Sequence, residues 1–271
     1  MARRVYLAGC HPERSEGPAL SMRKLLGVLL VAAAFHAYAA DLAPDYARES
    51  RWAAEVVPQI VVGDAIALAT PHRDRVLAIH ATPSGTPKGA VIVVHGAGVH
   101  PDWALIGDIR TMLAERGFET LSVQMPVLAA DAKAAAYEAL YALAAERLDA
   151  ADAWLRAHGK ARIAVVSHSM GSAMVDAWLA ESGRGKVVAW VAIGLAQPFM
   201  SRPRMPILDV HGERDFEAVI RSAQQRATRL PRDECSATVT LDDTDHFLDH
   251  AVPRAVARMA PFLDAAFDGR C

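Results

Sequence analysis

The sequence predicts an α/β fold, a mostly parallel central sheet with helices on both faces. From Ala90 onward, apolar runs of four to eight residues alternate with amphipathic segments, the pattern of buried parallel strands joined by crossover helices. In the longest interval, Tyr137, Leu140, Tyr141, Ala144, Leu148, Ala151 and Leu155 recur every three or four residues, which gives one apolar stripe facing a sheet. Composition agrees: of 271 residues 52% are hydrophobic and 22% charged, with Gly and Pro scattered, which excludes fibrous, low-complexity and disordered classes.

Residues 1–40 read as an address. Met22-Arg23-Lys24 precedes an uncharged apolar run from Leu25 to Phe35 and then Ala37-Tyr38-Ala39, the order of a secretory signal cut near Ala39 or Ala40. A spanning helix is the alternative, but the run falls short of the roughly 20 residues a bilayer needs. Residues 1–21 lack any apolar period, so Met22 is the expected true start. Leu7-Ala8-Gly9-Cys10 matches a lipoprotein box by chance, since few apolar residues precede it. The expected mature chain, residues 41–271, forms one domain, exported and periplasmic, with no stable membrane span. Removal of residues 1–40 changes the net charge from −2 to −5; with no basic patch, nucleic acid is excluded as a partner.

Asp41 to Pro58 is a mixed leader, followed by two β-rich stretches, Ile60–Ala69 and Arg75–Ala81, separated by Pro71-His72-Arg73-Asp74 and expected to form a hairpin. The parallel strands are expected at Ala90–Val94, Thr120–Val123, Ile163–Val166, Val187–Ile193, Ile207–Val210 and Thr238–Leu241. Right-handed crossovers place the loops at their carboxyl ends on one edge, where chemistry belongs.

Ser167-His168-Ser169-Met170-Gly171 lies between a strand and a helix expected near Ser172. A sharp turn there raises the Ser169 hydroxyl above the sheet and needs small residues two before and two after it, here Ser167 and Gly171. The helix start supplies the Met170 amide to a developing oxyanion. Ser169 is the expected nucleophile; a serine capping a helix is the plainer reading. The segment resembles the elbow of the α/β-hydrolase superfamily, usually Gly-x-Ser-x-Gly, with Ser167 standing at the first small position.

Three further segments resemble that superfamily in the matching order. His95-Gly96-Ala97-Gly98 is similar to its oxyanion loop, which implies a second donor at Ala97 or Gly98; a plain turn after a buried strand is the alternative. His211-Gly212-Glu213-Arg214-Asp215 is similar to its acid-bearing segment, which implies Asp215 as the orienting acid ahead of Asp209 and Glu213, with helix capping as the alternative role. Asp242-Asp243-Thr244-Asp245-His246 is similar to its histidine loop, which implies His246 as general base, an imidazole being the side chain that titrates near neutrality. A metal held by His246 and His250 with Asp242, Asp243, Asp245 and Asp249 is a weaker reading, lacking a third nitrogen ligand.

His95, His100, Trp103, Gln124 and His168 are candidate pocket residues, Trp103 and His100 equally readable as core and solvated loop. The resemblance, which covers about Ile60 to Phe267, implies the α/β-hydrolase fold, and thirteen residues at 194–206 leave no room for a large cap domain. It also implies a serine hydrolase acting on small-molecule esters through an acyl-enzyme, with no cofactor and no metal. The alternative is a catalytically idle binding protein of the cell envelope. Cys235 and Cys271 form an even pair in an oxidising compartment. A strand from Ser236 to Asp242 and a helix from Ala251 to Phe267 each span roughly 23 to 25 Å, which allows Cys271 to return beside Cys235. They are expected either to bridge or to remain two free thiols.

Overall fold

A computed structural model of the protein describes residues 43–181 and 187–271. The expected signal segment, Cys10 and the cleavage positions Ala39 and Ala40 lie outside the described residues. The described elements are α1 (Tyr46–Val56), β1 (Asp64–Thr70), β2 (Arg73–Ala81), β3 (Ala90–Val94), α2 (Ala104–Glu115), β4 (Glu119–Val123), α3 (Tyr141–Ala157), β5 (Ile163–His168), α4 (Met170–Ala180), β6 (Trp190–Ile193), β7 (Ile207–Gly212), α5 (Glu217–Ala227), β8 (Ala237–Leu241) and α6 (Val252–Asp268). Short 3₁₀ segments precede β1 and α3. The strands form one open sheet ordered β1-β2-β4-β3-β5-β6-β7-β8. The β1–β2 and β2–β4 pairs are antiparallel, and every pairing from β4 to β8 is parallel.

Alternation along the strands builds two cores, one on each face. Ala90, Ile92, Val94, Ile163 and Val165 pack into one, with Leu140, Ala144, Leu148, Ala151 and Leu155 of the α3 stripe. Val91, Val93, Ala164 and Val166 pack into the other, with Val252, Val256, Met259 and Leu263 of α6. A strand covered on both faces is mostly apolar, as β3 and β6 are throughout, and the polar residues of β4, β5 and β7 are buried as well.

Several boundaries differ from expectation by one to four residues, β2, β4, β7 and β8 by one or two, and four differences stand out. The leader contains α1, whose first turn is capped by Asp45 Oδ1 accepting from the Arg48 amide at 2.8 Å. β1 starts at Asp64 because Gly63, at φ 88°, turns the chain there; a side chain at that position would collide with the His80 carbonyl. β5 continues through Ser167 and His168, and α4 begins at Met170. β6 starts at Trp190, whose amide donates to the carbonyl of Pro206 just before β7, while Val188 and Ala189 bond only to the β5 side.

Residues 194–206 connect β6 to β7 directly, with no inserted cap. A fully buried ion pair secures this connection: Arg226 Nε binds both Asp209 oxygens at 3.1 Å, and its Nη1 donates to the carbonyls of Leu195 and Gln197. Cys235 and Cys271 are joined by a disulfide, Cα atoms 5.4 Å apart, which ties the approach to β8 to the end of the chain. Among the described residues no helix is long and apolar enough to cross a membrane.

Candidate active site

Ser169, Asp215 and His246, at the carboxyl ends of β5, β7 and β8, come together in one line of hydrogen bonds. Ser169 is the hinge between β5 and α4, at φ 55° and ψ −123°, a conformation that costs on the order of 1–3 kcal/mol for a residue with a side chain. Close packing holds it there. A Cβ on Gly171 would strike the His95 carbonyl, and one on Gly96 would lie 3.1 Å from Ser169 Cβ. The serine amide donates to the Ile193 carbonyl at 2.8 Å. Ser167, the departure from glycine in the motif, is accommodated by use of its hydroxyl, which lies 3.0 Å from Ser172 Oγ and accepts from Trp190 Nε1 at 2.8 Å.

His246 Nδ1 lies 2.6 Å from Asp215 Oδ1, and His246 Nε2 lies 2.8 Å from Ser169 Oγ. A carboxylate only accepts, so Nδ1 carries the proton and Nε2 is left to accept from the serine hydroxyl. Asp215 also accepts from the amides of Phe216 at 2.7 Å and Gly212 at 3.3 Å. Burial alone would raise its pKa, but the His246 hydrogen bond and charge, with those two amides, outweigh it and hold the carboxyl below its usual range. This arrangement can move the serine proton onto an oriented imidazole. His250 is exposed, and among the described residues no group of three His, Cys, Asp or Glu side chains is arranged to hold a metal ion.

Met170 opens α4, where first-turn amides lack partners within the helix. Ala97 is exposed, and Gly98, at φ 70°, is half-buried with its carbonyl turned to Arg48. Loop and elbow are packed against each other through Gly96 and Gly171.

Three candidate pocket residues are structural struts instead. His95 is fully buried: its Nδ1 donates to the Gly96 carbonyl at 2.8 Å, and its Nε2 accepts from the Met125 amide at 2.8 Å. Burial pushes its pKa down to about 3, so the ring is a neutral brace. Gln124 Nε2 donates to the Met125 carbonyl at 2.8 Å and lies 3.0 Å from His95 Nε2, and the space the residue borders is a separate cleft on the β2 side, with Arg73 and Leu77. His168 is buried, its Nε2 donating to the His246 carbonyl at 2.9 Å; burial, then the neighbouring His246, lower its pKa to about 4. It holds the histidine loop from beneath and does not compete for the serine proton.

Trp103 does line a cavity of about 270 Å³ together with Phe247 and Leu248. His100 is half-buried, its ring 5.8 Å from that of Trp52 and its pKa lowered by burial.

Two contributors escaped the sequence reading. Phe216 stacks on His246 with ring centroids 4.2 Å apart; its position directly after Asp215 was the available signal. Gly194 sits under the imidazole, where a Cβ would lie 2.8 Å from His246 Cε1; being the residue after β6, on the reactive edge, was its only mark.

The comparisons agree with this architecture. A family profile described as protein of unknown function (DUF3530) matches residues 28–145, a stretch that holds the His95–Gly98 loop but not Ser169, Asp215 or His246. No curated protein sequence matches. Among solved structures, the chain is similar to an α/β serine hydrolase homologue from Coxiella burnetii, with TM-score 0.58 at 12% identity, over 74% of this chain and 98% of that one. It is similar also to an α/β serine hydrolase without lid from Xanthomonas campestris, with TM-score 0.59 at 14% identity, over 75% and 94% of the two chains. A dienelactone hydrolase from Anabaena variabilis matches with TM-score 0.58 at 19% identity, over 76% and 96%. The lidless open sheet, its element order and these likenesses together establish that the chain has the α/β-hydrolase fold.

Proposed function

We propose that the protein is a serine hydrolase that cleaves carboxylic esters through an acyl-enzyme on Ser169. The observation that carries this reading is the continuous line from Ser169 Oγ through His246 to Asp215, at 2.8 and 2.6 Å. Ser169 Oγ attacks the carbonyl carbon while His246 Nε2 takes its proton, and the carbonyl electrons move onto oxygen. The amides of Met170 and Ala97, the latter preferred to Gly98, receive that oxyanion. Collapse expels the alcohol, which takes the proton from His246; a water then attacks the acyl carbon with His246 again as base, releasing acid and restoring Ser169. Asp215 holds the useful tautomer throughout and offsets the imidazolium charge.

Phe216 and Phe247, both exposed beside His246, offer an apolar contact to the substrate. Export to an oxidising compartment belongs to the same reading, supported by the signal-like order of residues 22–40 and by the Cys235–Cys271 disulfide.

A fluorophosphonate probe tests the reading on the full mature chain. Covalent labelling lost in Ser169→Ala, together with hydrolysis of a short-chain nitrophenyl ester that falls by roughly a thousandfold or more in the same variant, is the expected result. A folded protein that neither labels nor turns over a broad ester panel overturns it in favour of an idle, ligand-binding member of the fold.

A further inference from the structure

We infer that Arg48, on the amino-terminal helix α1, is a positioning residue for the oxyanion loop, an inference that rests on the function proposed above. The loop is held at two ends. At the first, His95 is locked between the Gly96 carbonyl and the Met125 amide. At the second, Gly98 stands at φ 70°, and its carbonyl accepts from Arg48 Nη2 at 3.1 Å. The same guanidinium gives Nη1 to the Leu128 carbonyl at 3.0 Å and lies 4.5 Å from the centre of the Trp52 ring. One cation therefore fastens the oxyanion loop to the segment after β4 from a third element, fifty residues away in sequence.

Helix α1 is itself a fixed base for that cation. The Asp45 amide donates to the Val127 carbonyl at 2.7 Å. Glu49, buried one residue after Arg48, pairs with Arg147 at 3.0 Å, and Arg147 donates to the Gln124 carbonyl at 2.9 Å. The peptide unit that carries the Gly98 carbonyl is separated by one peptide from the unit that carries the Ala97 amide, so with His95 locked on the other side, clamping that oxygen restrains the short stretch of backbone between the two anchors. A donor fixed before the reaction needs no reorganisation when charge develops, whereas one on a free loop must be ordered in each turnover. Arg48 touches neither substrate nor nucleophile in this account; it acts through the peptide it holds.

The test uses the mature full-length protein, its Arg48→Ala and Arg48→Lys variants, and three readouts. In Arg48→Ala, kcat for a nitrophenyl ester should fall about tenfold, a fraction of the loss seen when an oxyanion donor is removed outright. KM should stay within about twofold, and affinity for a trifluoromethyl ketone, which adds the serine and presents an oxyanion, should weaken in parallel with kcat. Added guanidinium should restore activity to Arg48→Ala, and Arg48→Lys should fall between the two. Amide hydrogen exchange at residues 96–100 should quicken in Arg48→Ala while the elements of the sheet keep their protection. Wild-type turnover with unchanged kcat, ketone affinity and local exchange in a folded Arg48→Ala overturns this inference alone. Exchange that quickens throughout the sheet, or loss of activity that guanidinium and the lysine variant both fail to recover, overturns it in favour of a purely structural helix. Absence of wild-type turnover and labelling instead overturns the function on which it rests.

Discussion

Ser169 carries the strain of the site in its own backbone, and its neighbours show what sustains it: glycines where a single methyl would collide, and buried hydroxyls where the usual motif has none. Other single residues are poised by burial. Asp176, on α4, accepts from the Met200 amide at 2.8 Å, and burial raises its pKa to about 6 despite that hydrogen bond. With the folded pKa above the unfolded one, its contribution to stability is fully present below about pH 3.8 and is lost as pH climbs through about 6. Asp176→Asn, which keeps an acceptor for Met200, is therefore expected to be more stable than wild type at pH 8 by on the order of 2 kcal/mol, with the gap closing at pH 4. Denaturant melts at the two pH values measure it, and an equal shift at both would rule out the burial cause.

At the scale of elements, the buried Arg226–Asp209 pair stitches the direct β6–β7 connection onto α5. Arg226→Ala leaves the Asp209 charge and the carbonyls of Leu195 and Gln197 without donors, so a loss of about 3–5 kcal/mol is expected in urea unfolding. The strands from β3 to β7 were legible in sequence because burial on both faces keeps them rich in apolar residues, β8 was legible from its apolar Val239 and Leu241, and the elbow was legible because a serine between small residues stands where a strand meets a helix. The order of the sheet was not, since the insertion of β4 between β2 and β3 is a choice of pairing partner, on which periodicity is silent. Helix α1 was also missed: its polar, weakly apolar sequence reads as leader, and what ties it to the His95–Gly98 loop is an arginine reaching a carbonyl fifty positions away. His95 was misplaced for a related reason, because a histidine in a glycine-rich loop has the same letters whether it lines a pocket or braces a backbone.

For the molecule as a whole, the disulfide closes the unit made of β8, the His246 loop and α6. Cross-linking positions 36 apart restricts the unfolded chain by about 4 kcal/mol in the loop-entropy account. Replacing both cysteines by serine is thus expected to lower Tm by roughly 10 °C, read by calorimetry against the wild type under oxidising conditions. A change of under two degrees would mean the bridge merely decorates a unit already held by α6. The reactive edge, finally, has a simple roof: thirteen residues span from β6 to β7 where a cap would be inserted. Under the proposed chemistry such a doorway has nothing to swing open, so catalysis should begin with dissolved single ester molecules at their full rate and show no sudden rise when the substrate starts to form droplets or micelles.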